Sequence, residues 1–76
     1  MEELMLLLKE IRPDVGFQSG KKLMDDGLLD SFDVVAIVGE ISERFLVDVP
    51  VEEITAENFN SPEAMLCMIE RLKAEG

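Results

Sequence analysis

The sequence predicts an all-α fold, a small four-helix bundle of three main helices plus one short helix, with a long loop between helices one and two. Three observations carry that expectation. Apolar residues recur at three- and four-residue spacing in three segments of the chain. Helix-starting and helix-ending residues, above all Asp30, Pro13 and Ser61-Pro62, stand at the edges of those segments. Nothing alternates with period two over a useful length, so a sheet is not expected. At 76 residues the chain makes one domain, residues 1–76, near the small end of what a single core sustains.

The first helix runs from residue 2 to about 11. Leu4, Leu7, Leu8 and Ile11 share a face, Glu2 and Glu3 suit the positive end of the helix dipole, and Lys9 suits the negative one. Pro13 disfavours helix beyond Arg12. Residues 12–30 form the long connection, with Pro13, Gly16, Gly20 and Gly27. Loops longer than roughly 12–15 residues are uncommon in compact domains unless functional or internally packed. Val15, Phe17, Leu23, Met24, Leu28 and Leu29 are spread along this one and are expected to fold it back over the core.

Phe32 to Phe45 is the second helix. At about 100° per residue, Val34, Val38, Ile41 and Phe45 form its core stripe, flanked by Ile37. Asp30 is the expected N-cap, and Asp33, three residues on, makes a box-like acidic pair with it. Gly39 sits inside this helix at a cost of about 1 kcal/mol relative to alanine. Val51–Ile54 suits one helical turn, and Thr55 caps a short third helix through Phe59. Ser61-Pro62-Glu63 starts the fourth, where Met65, Met68, Ile69 and Leu72 share a face and Arg71 and Lys73 lie near the C-terminal end.

Composition removes most chemistry. There is no histidine, so a Ser-His or Cys-His dyad is excluded, and one cysteine with carboxylates makes a poor zinc site. Asp25-Asp26-Gly27 fails as a calcium loop because Lys22 stands where the first ligand belongs. No glycine-rich phosphate loop is present. Cys67 reads as a buried small hydrophobe in the fourth helix. The sequence therefore points to a protein that is not an enzyme, with no catalytic or metal-ligating residues. A lone cysteine fits a reducing, cytoplasmic setting, and no apolar run reaches the length of a membrane span. Seventeen acidic residues against seven basic ones give a net charge of −10. That field repels nucleic acid, favours basic protein surfaces and argues for a monomer.

What remains is Ser31, at the junction between a polar loop and the second helix. Two readings stand: a solvent-facing helix starter, or a hydroxyl offered to a modifying enzyme. A phosphate-containing group attached there would sit at the positive end of a helix.

Asp25-Asp26-Gly27-Leu28-Leu29-Asp30-Ser31-Phe32 resembles the attachment motif of acyl carrier proteins and the related peptidyl and aminoacyl carriers. The similarity runs on through Phe45-Leu46-Val47-Asp48-Val49-Pro50, Ile54-Thr55-Ala56-Glu57-Asn58-Phe59 and Ser61 to Ile69. It covers the chain well from about residue 23 onward. Phe32 stands where the family pattern usually has leucine. The resemblance implies that Ser31 receives 4′-phosphopantetheine from coenzyme A through a phosphopantetheinyl transferase. It further implies that an acyl- or aminoacyl-activating ligase loads cargo as a thioester, and that a downstream synthase or transferase with a basic docking surface takes it. By helical arithmetic Ser31, Phe32, Val35, Gly39, Ser42 and Glu43 turn away from the core stripe, with Asp33 and Glu43 as an acidic edge. With Asp30, these residues are the docking surface that the resemblance implies. The principal cargo reading is an acyl group of fatty-acid, polyketide or related biosynthesis. A D-alanyl or aminoacyl carrier is the alternative, favoured by Gly27-Leu28-Leu29-Asp30-Ser31 and Val49-Pro50-Val51-Glu52-Glu53. An unmodified acidic helical interaction domain is the reading from a different class.

Overall fold

The computed structural model describes residues 2–17, 20 and 22–75. Residues 18, 19 and 21 of the long connection lie outside that set. The chain runs α1 (Glu2–Ile11), α2 (Ser31–Phe45), a 3₁₀ turn (Val51–Glu53), α3 (Ala56–Phe59) and α4 (Pro62–Glu75). This is the expected all-α arrangement of three main helices and one short one, with the long loop between α1 and α2. Among the described residues there is no strand, and no helix is long and apolar enough to cross a membrane.

The helices form where period and caps agree. Leu4, Leu7 and Leu8 of α1, Val34, Ile37 and Ile41 of α2, Phe59 of α3, and Met65, Met68 and Ile69 of α4 are buried together. Ile11, Val38, Phe45 and Leu72 pack at the margin. α1 packs against both α2 and α4, and α3 against α4. Thr55 Oγ1 accepts the Asn58 N–H at 3.3 Å and Ser61 Oγ accepts the Ala64 N–H at 3.0 Å, so both expected caps are made. The long loop is folded over the core as its apolar residues require. Phe17, Leu23 and Leu29 are buried, and Val15, Met24 and Leu28 are packed against the core.

Two details differ from expectation, and a third was not anticipated. α2 begins at Ser31, one residue earlier than Phe32, which puts the serine on the helix itself. Cys67 is exposed, not buried. At 100° per residue it lies about 200° round the helix from Met65, opposite the stripe of Met65, Met68 and Ile69, so angular position overrides cysteine's general preference for burial. α2 also ends without a glycine: Leu46 takes the left-handed conformation (φ 55°, ψ 45°) and is 87% exposed.

Candidate functional site

Ser31 opens α2, and the backbone on both sides of it is tied down. On the loop side, the Leu23 carbonyl accepts the N–H groups of both Leu28 (2.9 Å) and Leu29 (3.0 Å), and the Met24 carbonyl accepts that of Gly27 (3.1 Å). Gly27 supplies the positive φ (75°) that this tight turn needs, with open space where a Cβ would stand. Leu29 is buried and Leu28 half-buried, so two adjacent leucines anchor the loop immediately before Asp30 and Ser31.

Asn60, just past α3, clamps the same turn from the opposite side. Its carbonyl accepts the Leu23 N–H at 2.8 Å. Its side-chain oxygen accepts the N–H groups of Met24 and Asp25 at 2.9 and 3.0 Å, and its amide nitrogen donates to Asp25 Oδ2 at 3.1 Å. Backbone donors that a loop of this kind leaves open are thereby satisfied.

On the helix side, Asp30 and Asp33 form a reciprocal capping box. The Asp33 N–H donates to Asp30 Oδ1 at 2.9 Å, and the Asp30 N–H donates to Asp33 Oδ2 at 3.1 Å. Arg12, one residue past α1, donates through Nη1 to that same Asp33 Oδ2. Its Nε and Nη2 donate to the two oxygens of Asp14 at 3.0 and 2.9 Å. The Arg12 guanidinium holds the Asp14 carboxyl down at about 2, chiefly through its hydrogen bonds. Asp14 first and then Asp33 hold Arg12 above its ordinary value.

Within this bracket the Ser31 side chain is exposed, and its hydroxyl makes no hydrogen bond among the described residues. The hydroxyl stands exposed on the first turn of a 15-residue helix. The residues fit an attached phosphodiester. The oxygen is open to solvent, the positive end of the helix lies beside it, and the flanking backbone is already fixed.

The outer face of α2 carries Phe32 (85% exposed) and Val35 (69% exposed), with Gly39 and Glu43 exposed further along. Val35 therefore does not widen the core stripe. Glu43 has no ion-pair partner among the described residues, whereas Glu40 and Glu10 share Arg44. Two residues of the expected face are elsewhere. Ser42 is half-buried and its Oγ donates to the Val47 carbonyl at 2.9 Å, because the left-handed turn at Leu46 brings the chain back over it. Asp33 has a side chain only 13% exposed and is engaged by Arg12 and the Asp30 N–H, so it is a structural carboxylate and not an open acidic edge. Asp30 is exposed although its side chain caps the helix.

Arg12 and Asn60 were not legible as site residues. Each acts on a partner more than twenty positions away, 21 for Arg12 with Asp33 and 35 or 36 for the Asn60 side chain with Asp25 and Met24. No local spacing announces such pairs. The one available signal was that a box of two aspartates calls for a cation nearby.

No protein-family model matches the chain. Curated relatives do. The D-alanyl carrier protein of Listeria monocytogenes serotype 4a (strain HCC23) is 36% identical over 74 residues, 95% of each chain. The D-alanyl carrier protein of Lactobacillus acidophilus is 32% identical over 62 residues, 82% of this chain and 78% of that one. That of Leuconostoc citreum is 28% identical over 72 residues, 93% and 92% of the two. A match of this extent, on a four-helix chain that presents an exposed serine at the start of its second helix, has one consequence: the chain belongs to the phosphopantetheine-dependent carrier-protein family.

Proposed function

We propose that this protein carries D-alanyl groups on a 4′-phosphopantetheine arm attached to Ser31. The observation that carries the reading is the exposed Ser31 hydroxyl, held at the first turn of α2 by a fixed loop and a capping box. As a carrier the chain presents cargo to enzymes and catalyses no reaction itself. Of the two cargo classes left open by the sequence, similarity to D-alanyl carrier proteins supports the aminoacyl one over a fatty-acid or polyketide acyl group.

In the attachment step, Ser31 Oγ forms a bond to the phosphorus of the pantetheine phosphate of coenzyme A. The pyrophosphate bond breaks, adenosine 3′,5′-bisphosphate leaves with the electron pair, and the serine proton passes to a base on the phosphopantetheinyl transferase. When bound, the arm supplies a terminal thiol that holds the cargo as a thioester. The chain's own contribution is presentation. Asp30 and Asp33 fix the helix start, while Phe32, Val35, Gly39 and Glu43 offer an apolar strip with an acidic end to a transferase, an adenylating ligase and a cargo-accepting enzyme with basic docking surfaces.

The test is stepwise. Incubation with a broad-range transferase and coenzyme A adds one phosphopantetheine by intact mass to the wild type and none to Ser31→Ala. The holo form with ATP and a D-alanine-activating ligase then gains one hydroxylamine-labile D-alanyl group. An unchanged wild-type mass, or equal modification of Ser31→Ala, overturns the site and leaves an unmodified interaction domain. Loading by a fatty-acyl ligase without D-alanyl loading overturns the cargo.

A further inference from the structure

We propose that Arg12 is a positioning residue for the modification of Ser31. It acts through Asp33, whose carboxylate it holds in the capping box that encloses the serine. The inference rests on Ser31 being the acceptor.

The argument starts from the charge of the box. A capping box is ordinarily built from a neutral hydroxyl at the N-cap and a carboxylate or amide three residues on. Here both partners are aspartates, each accepting the other's backbone N–H at 2.9 and 3.1 Å. Two carboxylates held this close repel one another, and the repulsion is strongest where solvent is partly excluded, as at Asp33 with its 13% exposure. Without a cation, that repulsion weakens the box. Arg12 Nη1 donates to Asp33 Oδ2, the oxygen that also receives the Asp30 N–H, so one atom joins the cation to the backbone of the N-cap.

Arg12 is itself prepared for that role. Its N–H donates to the Leu8 carbonyl at 2.9 Å, which continues the hydrogen bonding of α1 by one residue, and its carbonyl accepts the Val15 N–H at 3.2 Å. The two contacts from Asp14 fix the plane of the guanidinium and leave Nη1 aimed at α2. With both carboxylates engaged, the guanidinium is not an open charge for a docking enzyme. It is a strut from Asp14 at the end of α1 to Asp33 at the start of α2, and Ser31 lies between Asp33 and its box partner Asp30.

Steady-state kinetics of coenzyme A-dependent modification separate positioning from docking and from folding. For Arg12→Gln, kcat falls about fivefold while KM for the carrier stays within about twofold of wild type, since the strip of Phe32, Val35 and Glu43 is untouched. Arg12→Lys keeps the cation but loses the fork, and recovers part of kcat. Asp33→Asn keeps an oxygen for the Asp30 N–H and loses the ion pair. It also removes the carboxylate repulsion that Arg12 offsets, so kcat stays within about twofold of wild type, and adding Arg12→Gln to it lowers kcat no further. Arg71→Gln, which removes an equal charge from an ion pair on α4, leaves kcat unchanged. The proposal is overturned if Arg12→Gln matches wild type in kcat, if the loss appears in KM, or if Arg71→Gln loses as much. Failure of the wild type to accept the arm defeats the reading of Ser31 instead, and is seen before any variant is compared.

Discussion

The two glycines nearest Ser31 do opposite things for the same fold. Gly27 sits at φ 75° and Gly39 in ordinary helical backbone, and a Cβ meets nothing within 4 Å at either position. Space is therefore no issue, and backbone conformation decides the sign. Gly27→Ala forces an L-residue into the left-handed region and is expected to destabilise by about 1–2 kcal/mol. Gly39→Ala is expected to stabilise by up to about 1 kcal/mol, because alanine restricts the unfolded chain and favours helix. Urea denaturation of both variants checks the pair, and two effects of one sign would contradict the backbone argument. Single residues were legible where their role is local. Asp30 and Asp33 announced the box by their spacing. Leu46 was not legible, because a left-handed helix end normally shows itself as glycine or asparagine. Here it is held by the Ser42 Oγ bond to the Val47 carbonyl, which no residue type advertises.

At the scale of elements, the helices were readable because each combines a 3.6-residue period with its own start and stop signals, all of them local. The connection between α1 and α2 was readable only in part. Its anchoring leucines and Phe17 stood out as apolar residues in a polar run, but the element they dock against did not. That partner is the end of α3, through Asn60, and the contact exists only after the chain has turned back on itself. Asn60→Ala removes the side-chain acceptor of two loop N–H groups while keeping the carbonyl bond to Leu23. The expected cost is about 1–2 kcal/mol, because the Met24 donor is partly buried and loses its partner whereas the exposed Asp25 donor turns to water. Amide hydrogen exchange should rise first at Met24 and Asp25, and then through Leu28 and Leu29, whose bonds to the Leu23 carbonyl lose their backing. Uniform acceleration across α1 and α4 would mean instead that Asn60 supports the whole bundle.

For the whole molecule, a net charge of −10 on 76 residues sets up repulsion that folding concentrates. Screening relieves it, so the melting temperature is expected to rise as salt approaches about 0.15 M, where exposed charges more than about 8 Å apart are largely screened. Lowering the pH has two opposed effects. Protonating unpaired carboxylates relieves repulsion, whereas protonating paired ones removes attraction. Glu53 isolates the second. Its two oxygens accept from Arg71 Nη2 and Nη1 at 2.7 and 2.9 Å, joining the 3₁₀ turn to α4, and these bonds hold its carboxyl below the ordinary carboxylate value. A group depressed on folding contributes fully above its unfolded value and loses that contribution as pH falls through its folded one. The melting-temperature gap between wild type and Glu53→Gln should thus be widest near pH 7 and hold down to about pH 5, then close towards about pH 3. All other carboxylates are common to both proteins, so their discharge largely cancels in the difference even while it raises or lowers each curve. A gap that persists unchanged at about pH 3 would show that the Glu53 contact acts through packing and not through its charge.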